Sequence, residues 1–442
     1  MSAANQQRLK EYINILEKYP TALHITDIYQ KSYGFQSETE ELYVAACAPT
    51  AVCFVKWVLQ EALQKGLKRL YFLARDGYPF YVTARHLCQT WKLDIDCRYL
   101  SVSRYAMRVP EYHLMGRDCL DRICIGGIDV TFKKIMKRAA LTEEEAVHVA
   151  ELVGCKERYQ DILNYQEIQN IKQKLLSVDC LFEYINRHSK EAYENAIGYL
   201  TQEGLLEDVA YGIVDSGWVG TLQQSMQRLL RTRKATLNLN GFYFGLYELP
   251  GEAERDLYHA YFFEPYKGLR RKVHFSNCLF EAIFSATEGM TLYYKKVQAE
   301  KQRYVPLLDS LQNRNWVQLA QNTEVLEKYV QVYTSVERMF TVSVRKELKL
   351  VQELLGLFMA KPSMLEIQTY GNQIFSDDVL EHDMKSVAAR LSDEDIKNQW
   401  LFRKLLIIFG IRKSVLRESA WLEASVVLNG VDTERYLKHV AF

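Results

Sequence analysis

Residues 69–87 read RLYFLARDGYPFYVTARHL, and residues 209–230 read VAYGIVDSGWVGTLQQSMQRLL. In the first stretch, 69–73 is rich in β-formers, 74–77 makes a sharp turn, and Pro79 stands where the first turn of a helix favours proline. Residues 98–102 then read as a second strand leading into Ser103 and Arg104. Strand, helix and strand in so short a span is the pattern of a parallel βαβ unit. The second stretch repeats the scheme as strand, turn and helix, and LNGFYFGLY at 239–247 supplies the following strand. The expected fold is α/β with a parallel-sheet core.

Outward from these units the pattern turns helical. Residues 113–204 carry few strand signals and include the charged stretch 141–153 and the run 159–195, which reads as a helical insertion. Upstream, Cys53, Phe54, Trp57, Val58, Ala62 and Leu63 space themselves as one face of a buried helix within 44–66, closed by Gly66. Past about residue 300 the chain is helical again, with a loop near Pro362 and a last helix set from Asp393 onward. The division expected is therefore a helical segment at 1–40, a first half of the α/β core at 41–112, the insertion at 113–204, a second half at 205–300 and a helical region at 301–442. With eight prolines and 21 glycines there is no Pro/Gly/Ser linker, and no internal repeat is visible.

The 442 residues carry 56 basic and 55 acidic side chains. A chain that grips nucleic acid through phosphates needs a basic excess or basic stripes, and this one has neither. An apolar fraction of 48% with 12% aromatics is enough to bury a core, which excludes wholesale disorder. The nine cysteines include no CxxC pair, so they read as reduced thiols in a cytoplasm. The opening MSAANQQRLKEYINILEKY lacks the apolar core of a signal peptide. The longest apolar run, 44–59, contains Pro49, Thr50 and Lys56 and falls short of the ~20 residues that span a bilayer. A cytoplasmic protein with no transmembrane segment is expected.

Ligands of an open parallel sheet bind beyond the carboxyl ends of its strands. Two turns there have unusual chemistry. Arg75 and Asp76 follow directly on a buried strand, and Gly77 permits a close approach. Asp215, Ser216, Gly217, Trp218, Gly220 and Thr221 form the mouth of a helix, where N–H groups, hydroxyls and the helix dipole make an anion site. Asp215 alone would repel a phosphate, and makes sense as a ligand for a sugar hydroxyl or for a metal travelling with the phosphate. The plainer reading is that these are capping and turn residues, with Arg75 and Asp76 paired to each other or to a nearby loop. Glu281, in LFEAIFSATEGM, is a charge on an apolar helix, and reads either as half of a buried ion pair or as a general base or hydroxyl ligand. The candidate catalytic residues are thus Arg75, Asp76, Asp215 and Glu281, and the candidate binding residues Gly77, Ser103, Arg104, Ser216, Gly217, Trp218, Gly220 and Thr221.

Other constellations are weaker. Asp94-Ile95-Asp96 has the spacing of a metal-binding or phosphatase carboxylate pair but precedes a strand, and reads as a loop. KGLRRK at 267–272 is either a solvated loop or a holder of a polyanion, and Ser392 to Asp395 is a helix cap. The nine histidines show no ligand grouping, so no metal site is expected from the protein itself, and no GxSxG, GxxxxGK[ST] or GxGxxG occurs.

The segments FLARDGYPF, YLSVSRYAMRVP, IVDSGWVGTLQ, GFYFGLY, LFEAIFSATEGM and MAKPSMLEIQTYGNQIFSDD stand in an order that resembles the C-terminal module of bacterial proteins catalogued as predicted haloacid-dehalogenase-superfamily hydrolases, over about residues 40–380. Those proteins are often encoded among glycosyltransferases for capsule or lipopolysaccharide. Their hydrolase label belongs to an N-terminal phosphatase-like domain whose aspartate motif is not found in this chain. More distantly, the two halves resemble the diphosphate-loop and sugar-phosphate-loop halves of type I phosphoribosyltransferases, which implies a phosphoribosyltransferase-like or Rossmann-like core. On that likeness Asp215 binds ribose hydroxyls, 216–221 holds a 5-phosphate, and Arg75 with Gly77 faces a diphosphate that Mg²⁺ accompanies. Ser216 stands where the likeness has a second acidic residue.

These readings converge on a phosphosugar-binding, transferase-like enzyme of bacterial surface-polysaccharide biosynthesis, its ligand a small phosphorylated sugar or nucleotide sugar. A non-catalytic partner or scaffold of glycosyltransferases is the alternative from another class. A phosphatase, as the family label suggests, is a third.

Overall fold

The computed structural model describes residues 2–127, 129–298, 303–310, 313–376, 385–408, 417, 419–431 and 436. Five strands, β1 (Arg69–Leu73), β2 (Asp96–Leu100), β3 (Tyr211–Trp218), β4 (Asn240–Leu246) and β5 (Tyr258–Phe263), form one sheet in the order β2-β1-β3-β4-β5. Every neighbouring pair is parallel. The α/β expectation therefore holds at the level of a parallel sheet flanked by helices.

All five residues of β1 are buried. Leu70 and Phe72 enter one core while Tyr71 and Leu73 enter another, because successive side chains of a strand leave on opposite faces. A strand covered on both sides reads as a continuous apolar run, as RLYFL does. The Leu70 face is covered by the helices Ala48–Gln64, Tyr78–Trp91, Trp316–Val336 and Val344–Leu355. Ala106 and Met107 of the helix Arg104–Met115, Ala196 to Leu200 of Asp179–Gln202, and Leu222 and Met226 of Thr221–Arg231 cover the other. The remaining insertion helices close around a third core of their own, from Cys119 through Ile135 and Val149 to Ile185.

Several boundaries differ from expectation. β2 begins at Asp96, and β5 and an antiparallel hairpin, β6 (Thr291–Val297) with β7 (Arg303–Leu308), were not foreseen. The hairpin is set by tertiary packing: the Tyr294 ring stacks on Tyr199 at 4.4 Å and its hydroxyl donates to the Ser101 carbonyl at 2.8 Å. It also lies across the boundary drawn at residue 300. The N-terminal helices pack onto the C-terminal region. Tyr12 donates to Glu366 at 2.6 Å and Arg8 pairs with the same carboxylate at 2.5 Å.

The loop reading holds for Asp94, whereas Asp96 is the first residue of β2. They sit at the amino ends of the strands, away from the candidate turns, where Asp96 pairs with Arg69 at 2.9 Å and Asp94 with Lys68 at 2.7 Å. In 267–272, Lys272 donates to the Tyr247 carbonyl at 3.0 Å and Arg271 lies over Phe262. Ser392 caps its helix in a reciprocal box with Asp395. Asp377 and Asp378, which end the last of the quoted segments, lie outside the described residues.

Among the described residues one stretch, Glu38–Gln64, is long and apolar enough to cross a membrane, and 94% of its apolar window is buried inside the protein. Lys56, in its C-terminal half, is fully buried and pairs with Glu337 at 2.9 Å and Glu347 at 2.7 Å.

Gly77 closes the turn after β1 by lying against the strand it has just left. A Cβ there would come within 2.4 Å of the Leu73 carbonyl oxygen and 2.7 Å of the Leu73 nitrogen. Neither is a side chain that can swing away. Gly77→Ala is expected to cost about 2–3 kcal/mol, the upper range of overpacking, read as a lowered midpoint in urea unfolding; an unchanged midpoint would show that the turn relaxes freely.

Candidate functional site

The strand order reverses between β1 and β3, which is where a doubly wound sheet opens a crevice beyond its carboxyl ends. The two candidate turns leave the sheet at this place. Ser216, nearly fully buried, donates its hydroxyl to Asp76 at 2.9 Å, so the turns touch. The Asp215 carboxylate accepts the Ser216 N–H at 2.9 Å. A third segment joins them: the Ala286 N–H donates to the Arg75 carbonyl at 3.1 Å, drawing in the end of the helix Asn277–Ile283. That helix presents Glu281, whose carboxylate accepts the Trp218 indole N–H at 2.6 Å. The Ala74–Arg75 and Gly217–Trp218 peptide bonds are both cis.

The sequence reading of 215–221 as a single loop is corrected here. β3 continues through Gly217 and Trp218, which pair with Gly245 and Leu246 of β4. Gly217 has φ +144°, and a Cβ on it would lie 2.1 Å from the Gly245 carbonyl oxygen. The extension depends on two glycines facing each other. Only Gly220, the N-cap, and Thr221, the first helical residue, form the helix mouth, and Gly220 supplies no side-chain cap. The Trp218 ring is packed against Phe275 and Phe280. Ser103 is engaged within the protein: its hydroxyl donates to the Thr291 carbonyl at 2.6 Å and accepts from the Ala106 N–H at 3.0 Å. Arg104, next to it, is exposed.

Asp76, Asp215 and Glu281 thus form a carboxyl cluster on which the charge of Arg104 acts, with Arg75 adjoining Asp76. The carboxyl groups of Asp215 and Glu281 are enclosed by protein, although each residue keeps some accessible surface. Burial first, and the charge of Asp76 second, push Asp215 up from 3.8 to about 8; Arg104 and the Ser216 N–H pull the other way. Glu281 is raised by the same two causes, against the pull of Arg104 and of its bond to Trp218. The hydrogen-bond partner of Glu281 is an indole, and the cation whose charge acts on it is Arg104. A carboxyl group kept neutral near pH 7 can donate a hydrogen bond or a proton, and such groups in a crevice mark candidate sites. Among the described residues no group of three His, Cys, Asp or Glu side chains is placed to hold a metal ion.

The structure therefore brings together Arg75, Asp76, Asp215, Ser216, Trp218 and Glu281, with Gly77 as the packing element behind them. The direct Trp218–Glu281 and Asp76–Ser216 bonds were not read from the sequence, since they join segments far apart in it. No family model matches the chain, and no curated protein does.

A carboxyl whose folded pKa is raised stabilises the fold fully below its unfolded pKa, and that contribution is lost as pH rises through the folded value. For Asp215 the window runs from about 4 to about 8. In urea unfolding, Asp215→Asn combined with Glu281→Gln is expected to match the wild type at pH 4, to gain relative to it up to about pH 8 and to level off above that. A difference independent of pH would show that neither carboxyl is held neutral.

Proposed function

We propose that the protein binds a phosphorylated sugar donor at the β1/β3 crevice and transfers its sugar moiety, as a cytoplasmic transferase-like enzyme in assembly of bacterial surface polysaccharide. The observation that carries this reading is the convergence of two carboxyl groups held above their usual range, Asp215 and Glu281, with the Arg75–Asp76 turn at the point where the strand order reverses. Sugar hydroxyls are natural partners for such a cluster, because a neutral carboxyl donates and an ionised one accepts. Arg75 faces the departing diphosphate, and the sugar phosphate lies toward Gly220 and Thr221. Positioning and charge stabilisation do most of the work in such a transfer.

The finer fold reading, a phosphoribosyltransferase-like core, is supported by the parallel order and by the site's position at the carboxyl ends of β1 and β3. A diphosphate donor brings Mg²⁺ held largely by its own phosphate oxygens, which asks little of the protein beyond one or two carboxylates. All nine cysteines are free thiols, which suits a reducing compartment. Glycosyltransferases acting on the same glycan are the protein partners that fit.

A thermal-shift and calorimetry screen of phosphoribosyl diphosphate, nucleotide sugars and sugar phosphates tests the proposal, since a ligand selective for the folded state raises its stability by about 2.7 kcal/mol at one hundred times its Kd. Asp215→Asn and Arg75→Ala are each expected to abolish donor binding while melting within a few degrees of the wild type. Unfolding of both variants, together with no ligand for the wild type, would leave these residues a structural role only.

A further inference from the structure

Arg108 belongs to the helix Arg104–Met115 and is 7% exposed. Its Nη2 donates to the Thr221 hydroxyl at 3.2 Å, but Nε and Nη1 are buried with no hydrogen-bond partner. The acidic residue nearest in sequence does not neutralise it: Glu111 accepts from Ser225 and from Arg228, each at 2.8 Å. Two further arginines act on it. Arg104, one turn earlier, and Arg122, which donates to Gln224, add repulsion to the effect of burial, and together they bring Arg108 down from 12.5 to about 10.

The hydroxyl that Arg108 reaches is the first residue of the helix Thr221–Arg231, whose N-cap Gly220 leaves the first-turn N–H groups without a side-chain acceptor. The under-bonded guanidinium of Arg108, through its Nη2, therefore reaches the same helix mouth whose first-turn donors are uncapped. Thr221 and Arg122 are half-buried and Arg104 is exposed, so the cluster is open to solvent on that side. A buried cation with no carboxylate bonded to it, felt by Glu111 only through space and flanked by two more cations, is unfavourable as it stands. A tetrahedral dianion reverses the balance, because a guanidinium fork and a helix N-terminus both match phosphate oxygens.

We propose that Arg108, with Arg104, Arg122 and the first turn of the Thr221–Arg231 helix, is a receptor for a phosphomonoester dianion. This rests on the proposed function in one respect: the phosphate is taken as the tail of the sugar whose hydroxyls reach Asp215 and Glu281. Arg104 connects the two ends, since its charge acts on both carboxyls and on Arg108. The phosphate end is thus built from helices outside the sheet, whereas Ser216, Gly217 and Trp218 are committed to β3 and its contacts.

The test uses the full chain with inorganic phosphate as probe, at constant ionic strength in chloride, by calorimetry and thermal melts. Phosphate is expected to bind saturably and to raise the melting temperature, more at pH 8 than at pH 5.5, as a dianion should. Arg108→Gln is expected to weaken phosphate at least tenfold yet to melt at or above the wild type without phosphate, since it removes an uncompensated charge. Should that variant fail to fold, Arg104→Gln and Arg122→Gln carry the test, each several-fold weaker for phosphate. No phosphate binding by the wild type, or wild-type affinity in all of the folded variants, overturns the receptor. The two readings separate cleanly. Phosphate bound through Arg108, with no sugar phosphate binding more tightly than phosphate itself, removes the sugar-donor reading and keeps the receptor; a sugar phosphate held equally well by Arg108→Gln does the reverse.

Discussion

The ladder between β1 and β3, from Arg69 opposite Tyr211 to Phe72 opposite Val214, joins parts of the chain between which the whole helical insertion is spliced. Both strands leave this ladder at the same level, one into Ala74 and Arg75 and the other into Asp215 and Ser216, so their polar ends have no choice but to meet. A slip of one residue would turn Tyr71 and Leu73 into the core that holds Leu70 and Phe72, and would move Asp215 off the crevice. The two packed faces thus specify the register, and the register specifies the chemistry at the strand ends. Gly77, pressed onto Leu73, and Gly217, pressed onto Gly245, are the places where this arrangement leaves no room for a side chain.

Charge is sorted by structural origin. The sheet turns and the helix Asn277–Ile283 supply the carboxyls Asp76, Asp215 and Glu281 together with Arg75, while the helix Arg104–Met115 and the insertion supply the guanidinium groups Arg104, Arg108 and Arg122. Within each set, burial and like charge oppose the ionised form: Asp76 acts on Asp215 and Glu281, and Arg104 and Arg122 act on Arg108. Stability has been given up locally on both sides of one crevice, and the large aromatic and aliphatic cores on either face of the sheet can carry that loss.

Much of this was legible from local patterning. Pro79 in the first turn of its helix, Gly66 after the Ala48–Gln64 helix and the Ser392 cap all act over a few residues, so their meaning survives without the fold. Asp76, Asp215 and Glu281 were conspicuous because a charge in an apolar segment needs a reason. Strand order, β5 and the β6–β7 hairpin were not legible, since each depends on partners distant in sequence. Trp218 looked like a loop residue because nothing local announces that Gly245 will leave space for β3 to continue. Arg108 was overlooked for the opposite reason: with Glu111 three residues on, it passes for an ordinary helical ion pair. Only the fold shows that Ser225 and Arg228 have taken that carboxylate.

The buried lysine of the Glu38–Gln64 stretch has a consequence outside the finished molecule. By length and composition that stretch could cross a bilayer, yet 94% of its apolar window is buried inside the protein. A lysine near the centre of a membrane-spanning helix opposes insertion by about 2.5–3.5 kcal/mol. Inside the protein the same ammonium finds Glu337 and Glu347, carboxylates delivered by helices synthesised nearly three hundred residues later. Lys56 thereby ties the helix to the protein interior: its charge is disfavoured in lipid and is matched in the folded chain by carboxylates from the C-terminal helices.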